Sequence, residues 1–153
     1  MLDIDYRKSV GHWVFTAAHA MACAMNDELA AHGITFRQFE VLAWLSRERE
    51  LSQSDLAERM RIEAPTLVGV LDRMERDGWI QRIPDDNDRR KKLIRPTDRV
   101  MPAWAQMVAC GEAVRARATR GLSEEQLTAL RETLSSICEN MGVVDPAAVS
   151  KQS

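Results

Sequence analysis

LSQSDLAERMRIEAPTLVGVLDRMERDGWIQRIPDDNDRRKKLIRPT, residues Leu51 to Thr97, is the stretch on which the fold turns. Its periodicity predicts a short helix capped at Ser52, a turn, and a longer helix from about Ala64 that stops at Gly78. In that longer helix Leu67, Val70, Leu71 and Met74 recur at helical spacing and face a core. Two apolar strand runs follow, Trp79 to Ile83 and Leu93 to Arg95, with Pro84-Asp85-Asp86-Asn87-Asp88 as the turn between them. The order is a helix-turn-helix with a β-hairpin wing, and the wing carries Arg89, Arg90, Lys91 and Lys92 in succession. That arrangement suits a grip on duplex DNA.

Working outward, three helix starts share one signature. Ile34-Thr35-Phe36-Arg37-Gln38-Phe39, Leu51-Ser52-Gln53-Ser54-Asp55-Leu56 and Leu122-Ser123-Glu124-Glu125-Gln126-Leu127 each place a hydroxyl cap three residues before a side chain that reaches back. The last opens a helix with the stripe Leu127, Leu130, Leu134, Ile137 and Met141. A long helix from about Thr97 to Arg120 carries Val100, Trp104, Met107, Val108, Val114 and Ala118, with Gly121 as its stop. An N-terminal helix carries Val10, Val14, Ala17, Ala18, Met21, Met25 and Leu29 and ends near Gly33. These flanking faces need burial, and pairing with a second copy supplies it while matching a two-fold DNA site. Folding back onto their own domain is the alternative.

The expected architecture is mainly α: a winged helix-turn-helix over residues 34–97 within a single domain of residues 1–142. Residues 5–32 and 98–142 are its dimerisation helices, and 143–153, with Pro146, is a loose tail.

Composition fits this reading once charge is taken locally. The 153 residues are 45% hydrophobic, enough for a core, and carry a formal net charge of −2. From Arg89 to Arg95, however, Arg89, Arg90, Lys91, Lys92 and Arg95 occur with no acid among them. Phosphate contact depends on that local field, so binding should weaken steeply with salt. Cys23, Cys110 and Cys138 are odd in number and widely spaced, which with no signal peptide predicts reduced thiols in a cytoplasm. No apolar run reaches the ~20 residues of a membrane span. His12, His19 and His32 show no zinc-like spacing with the cysteines, so no metal and no cofactor are expected.

Within the DNA-facing set, Ala64, Pro65, Thr66, Val68 and Gly69 form the outer face at the start of the long helix. Pro65 suits the first turn, and Thr66 can reach a base edge. Arg73 lies further along, placed for a phosphate. Ser52, Gln53 and Ser54 are candidates at the preceding helix start, although the cap alone accounts for Ser52. Arg89 or Arg90 at the wing tip would enter a minor groove, with Asp88 bracing one guanidinium. Lys91 and Lys92 complete the basic run.

Taken together these residues resemble the MarR family of winged-helix regulators, over nearly the whole chain to about Met141. The resemblance rests on Ile34-Thr35, Gln38-Phe39 and Val41-Leu42, on Leu51 to Ala57, on Asp72-Arg73-Met74-Glu75 with Gly78, and on Asp88 to Leu93. Ile62 to Val68 is most similar to the SlyA branch. The resemblance implies an obligate dimer of triangular outline, recognition helices in successive major grooves and wing arginines in flanking minor grooves. It also implies, for many members, repression relieved by small aromatic acids bound between the dimerisation helices and the winged domain. This chain departs from the pattern at Gly69, where SlyA-like proteins often carry arginine. It departs again at Pro96, which replaces a leucine before Thr97, and no glycine follows. Cys23 lies about three helical turns beyond the reactive cysteine of the peroxide-sensing branch, so a thiol switch is not expected.

An effector pocket would draw His12, Trp13, Phe15 and His19 from the first helix, Arg37 and Trp44 from the second, and Trp104 and Met107 from the long helix. Aromatic and Met side chains give walls, and Arg37 or a His can pair with a carboxylate. Taken singly, each is also explained as a core aromatic or a surface arginine. The expected function is a sequence-specific, homodimeric regulator of a pseudo-palindromic double-stranded operator. It would be a repressor released by a small aromatic or phenolic carboxylate or its thioester. Alternatives are a SlyA-like activator that displaces another protein, and a winged helix used for protein interaction, which has little need of consecutive basic residues. No phosphate loop, nucleophile–base pair or metal spacing points to an enzyme.

Overall fold

The structure, a computed structural model, describes residues 5–88 and 90–143. It divides into two compact units, Met1–Val114 and Arg115–Ser153.

In the first unit, α1 (Val10–Leu29) starts at Ser9, whose hydroxyl accepts from the His12 amide. A short 3-10 turn ends it at Gly33, which holds the left-handed φ of 70°. Helix α2 (Phe36–Glu48) opens on the complete capping box expected at Thr35: Gln38 N donates to Thr35 Oγ1 at 3.3 Å, and Thr35 N donates to Gln38 Oε1 at 2.8 Å. Strand β1 (Leu51–Ser52), α3 (Gln53–Met60) and α4 (Ala64–Arg76) follow, then β2 (Ile80–Pro84), β3 (Lys92–Pro96) and α5 (Val100–Ala118), which runs across the boundary between the units.

The sheet is antiparallel in the order β1-β3-β2, with Leu51 opposite Ile94 and Arg82 opposite Ile94 on the other side. The hairpin expectation holds with shifted edges. Trp79 precedes β2, and Pro84, expected in the turn, pairs with Lys92 as the last residue of the strand. The third strand was not foreseen, because two residues are too few for an alternation signal. It alters the start of α3 as well. Ser52 pairs with Leu93 in the sheet, and its hydroxyl accepts from Asp55 N at 3.1 Å. The reciprocal half of a box is missing: Asp55, one methylene shorter than Glu, takes the Ser52 hydroxyl at 2.6 Å instead.

Helix α4 closes with two bonds that satisfy its last carbonyls: Gly78 N donates to Glu75 O and Trp79 N to Met74 O, with Gly78 at φ 77°. This is a Schellman stop, and only the glycine adopts that angle without strain. Trp79 is thereby turned inward and buried. Thr97 Oγ1 donates to Gly78 O at 2.6 Å, and Thr97 N to Trp79 O at 3.0 Å. Arg99 lies over the Trp79 ring at 4.3 Å and donates to the Asp77 carbonyl. These contacts occupy the junction where Pro96 departs from the family pattern. Pro96 pairs with Ile80 at the end of β3, beyond the reach of the two-residue β1, so its missing amide breaks no bond on that side.

The core gathers Leu29, Val41, Leu42, Leu45, Leu56, Leu67, Leu71, Met74, Ile80, Ile94 and Met107, all essentially inaccessible. The four apolar positions predicted for α4 are its four buried residues. In α1, only Met25 and Leu29 of the expected stripe are buried, while Val10 and Met21 are exposed.

In the second unit, α6 (Glu124–Asn140) has the predicted box at Ser123, with Gln126 N donating to Ser123 Oγ and Ser123 N to Gln126 Oε1. None of its residues is fully buried: Leu127 and Ile137 are half-buried, and Leu130, Leu134 and the following Met141 are exposed. The tail expectation lies, from residue 144 on, outside the described residues. No helix among the described residues is long and apolar enough to cross a membrane.

Candidate nucleic-acid interface

Helix α4 begins at Glu63 without a side-chain cap, with Pro65 in its first turn. Its leading amides therefore keep no capping side chain, as suits a helix end that meets an anion. Ala64, Pro65 and Thr66 are exposed there, Val68 and Gly69 are half-buried, and Arg73 is exposed. A Cβ on Gly69 would stand 3.7 Å from Arg73 Nη1, so the guanidinium folds back along the helix over the space the glycine leaves. Arg73 and Gly69 thus share one outward face with Thr66.

At the start of α3 the three polar candidates separate. The buried Ser52 has its hydroxyl bonded to Asp55 and, at 2.9 Å, to the Ser54 hydroxyl. It is committed to the cap. Ser54 is exposed and Gln53 half-buried, which leaves these two facing outward.

In the wing, Asp85 to Lys91 connect the paired ends Pro84 and Lys92. Within the loop Asn87 N donates to the Asp85 carboxylate at 2.8 Å, and Lys91 N to the Asp88 backbone carbonyl at 2.8 Å. Asp88 takes the Arg90 amide at 3.1 Å and Nε of the same residue at 3.2 Å. The brace foreseen between Asp88 and Arg90 is therefore present, and hydrogen bonding to the Arg90 guanidinium holds the Asp88 carboxyl below its ordinary range. Arg90 remains 92% exposed, aimed at solvent. Lys91 and Lys92 are exposed beside it. Arg89 lies outside the described residues.

Two basic residues belong elsewhere than their position in sequence implies. Arg95, counted with the wing run, forms an ion pair with Glu50 at the other end of the strand. Arg82 was not singled out by sequence, yet it joins the wing to α4. Its side chain is only 16% exposed and pairs with Asp72 at 2.6 Å and with Glu75. Glu75 also accepts the Arg82 amide at 3.1 Å, and its carboxyl is held low, chiefly by the Arg82 side-chain hydrogen bond. The detectable signal was the i, i+3 pair of acids on α4 followed by a lone arginine inside an apolar strand run.

The effector candidates are dispersed. His12 lies tilted against Tyr6 at 5.7 Å and edge-on to Trp13 at 5.4 Å, and Trp13 Nε1 donates to Arg7 O. Phe15 is 77% exposed. His19 bonds to Cys23. Arg37 donates to Glu40 at 2.9 Å, and burial raises the Glu40 carboxyl pKa against the lowering effect of that arginine. Trp44 lies beneath Arg47 at 5.5 Å, and Trp104 stacks on Phe39 at 5.6 Å. Met107 is fully buried. An open cleft of about 600 Å³ is lined by Glu48, Arg49, Glu50, Arg95 and Pro96, none of them an effector candidate.

Comparison with known proteins follows the same stretch. The MarR family pattern matches residues 34–92. The transcriptional activatory protein BadR of Rhodopseudomonas palustris is 32% identical over 127 residues, which cover 79% of this chain and 71% of BadR. The chain belongs to the MarR family. It is accordingly a transcriptional regulator, and its relatives are regulators rather than enzymes. Among solved structures, a cysteine-to-serine mutant of MarR from E. coli complexed with operator DNA superposes with a TM-score of 0.75 at 23% identity, covering 84% of this chain and 92% of that one. CouR from Rhodococcus jostii RHA1, bound to p-coumaroyl-CoA, gives 0.76 at 23% identity, over 88% of this chain and 95% of that one. At such identities these two establish the winged helix-turn-helix fold.

Proposed function

We propose that this MarR-family chain is a homodimeric repressor of a pseudo-palindromic double-stranded operator, released by a small aromatic or phenolic carboxylate or its thioester. One observation carries the DNA part: an uncapped helix start with an exposed Thr66 is tied, through Arg82, to a wing whose Arg90 is braced and almost fully exposed. Residues 34–97 act as the reading module. Thr66, Val68 and Gly69 meet base edges with Ala64 and Pro65 around them. Arg73, Gln53 and Ser54 meet phosphates, and Arg90 enters the minor groove with Arg89, Lys91 and Lys92 flanking it. Residues 5–32 and 98–142 pair two copies, consistent with the bare apolar stripe of α6 and with exposed Val10, Trp13 and Phe15 on α1. A protein of this kind works in the cytoplasm.

The ligand part is supported by the p-coumaroyl-CoA bound to CouR and by the aromatic side chains of α1, α2 and α5. Ligand would shift the population toward a helix spacing that misses the ~34 Å repeat of adjacent half-sites. Arg37 would have to exchange Glu40 for the ligand's carboxylate. Activation is the second reading, favoured by the name that BadR carries.

Fluorescence anisotropy on fragments from the upstream region of the chain's own coding sequence, at several salt concentrations, tests the reading. The expected result is binding two copies at a time, with Arg90→Ala flattening the salt slope by about 1.8, one phosphate's worth (~0.9) for each copy. A monomer in solution, or indifference to duplex DNA at low salt, would overturn it.

A further inference from the structure

We infer that His19 and Cys23 form a two-donor site for a borderline divalent cation, Zn²⁺ foremost, on the surface of α1. The two residues are four apart in an unbroken helix, so they stand one turn above each other on one face. Cys23 Sγ and His19 Nε2 are 3.5 Å apart. A tetrahedral zinc with its usual bonds of ~2.3 Å to sulfur and ~2.05 Å to nitrogen sets those two atoms about 3.6 Å apart. The two donor atoms are thus already close to the bite distance of the ion, and a modest turn of the imidazole brings its lone pair onto it. In the metal-free protein the same distance is an S–H···N hydrogen bond, and the ion replaces its proton.

This departs from the sequence expectation that no histidine is spaced for metal with a cysteine. The expectation used the short loop spacings of zinc ribbons and fingers and passed over the i, i+4 spacing that a helix turns into contact. Both residues are exposed, on the flank of α1 that also carries His12, Thr16 and Asn26 rather than on its Met25–Leu29 face. The donor pair, one imidazole and one thiolate, selects zinc and its analogues over magnesium or calcium, which take oxygen. No group of three or more donors gathers among the described residues, so water completes the coordination and binding is of modest strength. Because the thiol gives up its proton to bind, apparent affinity falls as pH is lowered.

Cobalt is the probe. The full chain, reduced with a phosphine and freed of metal, is titrated with Co²⁺ without oxygen. A near-ultraviolet thiolate-to-cobalt charge-transfer band should appear and should be bleached by Zn²⁺. Cys23→Ser should abolish it, and His19→Ala should weaken Co²⁺ binding at least tenfold. Cys110→Ser and Cys138→Ser should leave it intact. Both test positions are exposed, and far-ultraviolet circular dichroism verifies that each variant folds. Absence of the band, its loss with Cys110 or Cys138, or its indifference to His19→Ala overturns the site. His19 and Cys23 lie in the segment assigned to pairing two copies, but the cobalt band reports metal binding alone, so its failure leaves the DNA-binding reading standing.

Discussion

Replacing Arg82 with alanine should separate the geometry of the reading module from its charge. Arg82 reaches from β2 to Asp72 and Glu75 on α4, with its own side chain mostly covered and the two acids 61% and 41% exposed. Because the acids are wet, each pair is worth about 0.2–1 kcal/mol. Removing the cation also leaves Asp72 and Glu75 repelling each other across one helical turn, a further few tenths of a kcal/mol. The sum is about 0.6–2.5 kcal/mol. At ~2–4 °C per kcal/mol for a chain of this size, the melting temperature should fall by about 1–10 °C. A cycle with Glu75→Gln should show coupling of at least ~0.5 kcal/mol. In DNA titrations Arg82→Ala should weaken binding because the wing is no longer held against α4, yet the salt slope should not change, since Arg82 is engaged internally. An unchanged melting temperature together with a slope reduced by about 0.9 for each copy would refute the reasoning, because Arg82 would then be spending its charge on a phosphate.

The same cluster fixes a pH dependence. Glu75 titrates below its ordinary value, so its stabilising effect is complete above about pH 4.3 and is lost as pH falls through the lower folded value. The stability gap between the wild type and Arg82→Ala should therefore close in that acidic window, as followed by thermal unfolding between pH 7 and pH 2.5. Leu71→Ala, at a fully buried position of α4, should cost about 2–5 kcal/mol in denaturant unfolding; a loss under 1 would mean the core reading of that helix is wrong. Gly69→Ala should raise stability by about 0.5–1 kcal/mol, because a Cβ there only touches the end of Arg73 at 3.7 Å, an ordinary contact, while DNA affinity reports separately on the added methyl at that face. A fall in melting temperature for Gly69→Ala would count against that geometry.

Much of the fold was legible because its signals are local. Thr35 with Gln38, Ser123 with Gln126, and Gly78 after Arg76 set helix ends through bonds between residues three to five apart, and the 3-4 spacing of Leu67, Val70, Leu71 and Met74 fixed a buried face. What escaped depends on partners distant in sequence. β1 exists because Leu51 and Ser52 meet Ile94 and Leu93, some forty residues on. Arg95 reads as part of a basic run until the fold sets Glu50 beside it, and Arg82 reads as ordinary until the hairpin returns it to α4. The Asp88–Arg90 brace was visible because its members are only two positions apart. The stripes of α1 and α6 were equally visible, but a pattern that demands burial does not say against what.

The knot of Asp77, Gly78, Trp79, Thr97 and Arg99 has a mechanical corollary. It rivets the trailing end of α4, the root of the hairpin and the run-up to α5 at a single point. A tug on α5 at that point would swing helix and hairpin as one stiff bracket, altering where the pair lands on a duplex while preserving the shape it presents.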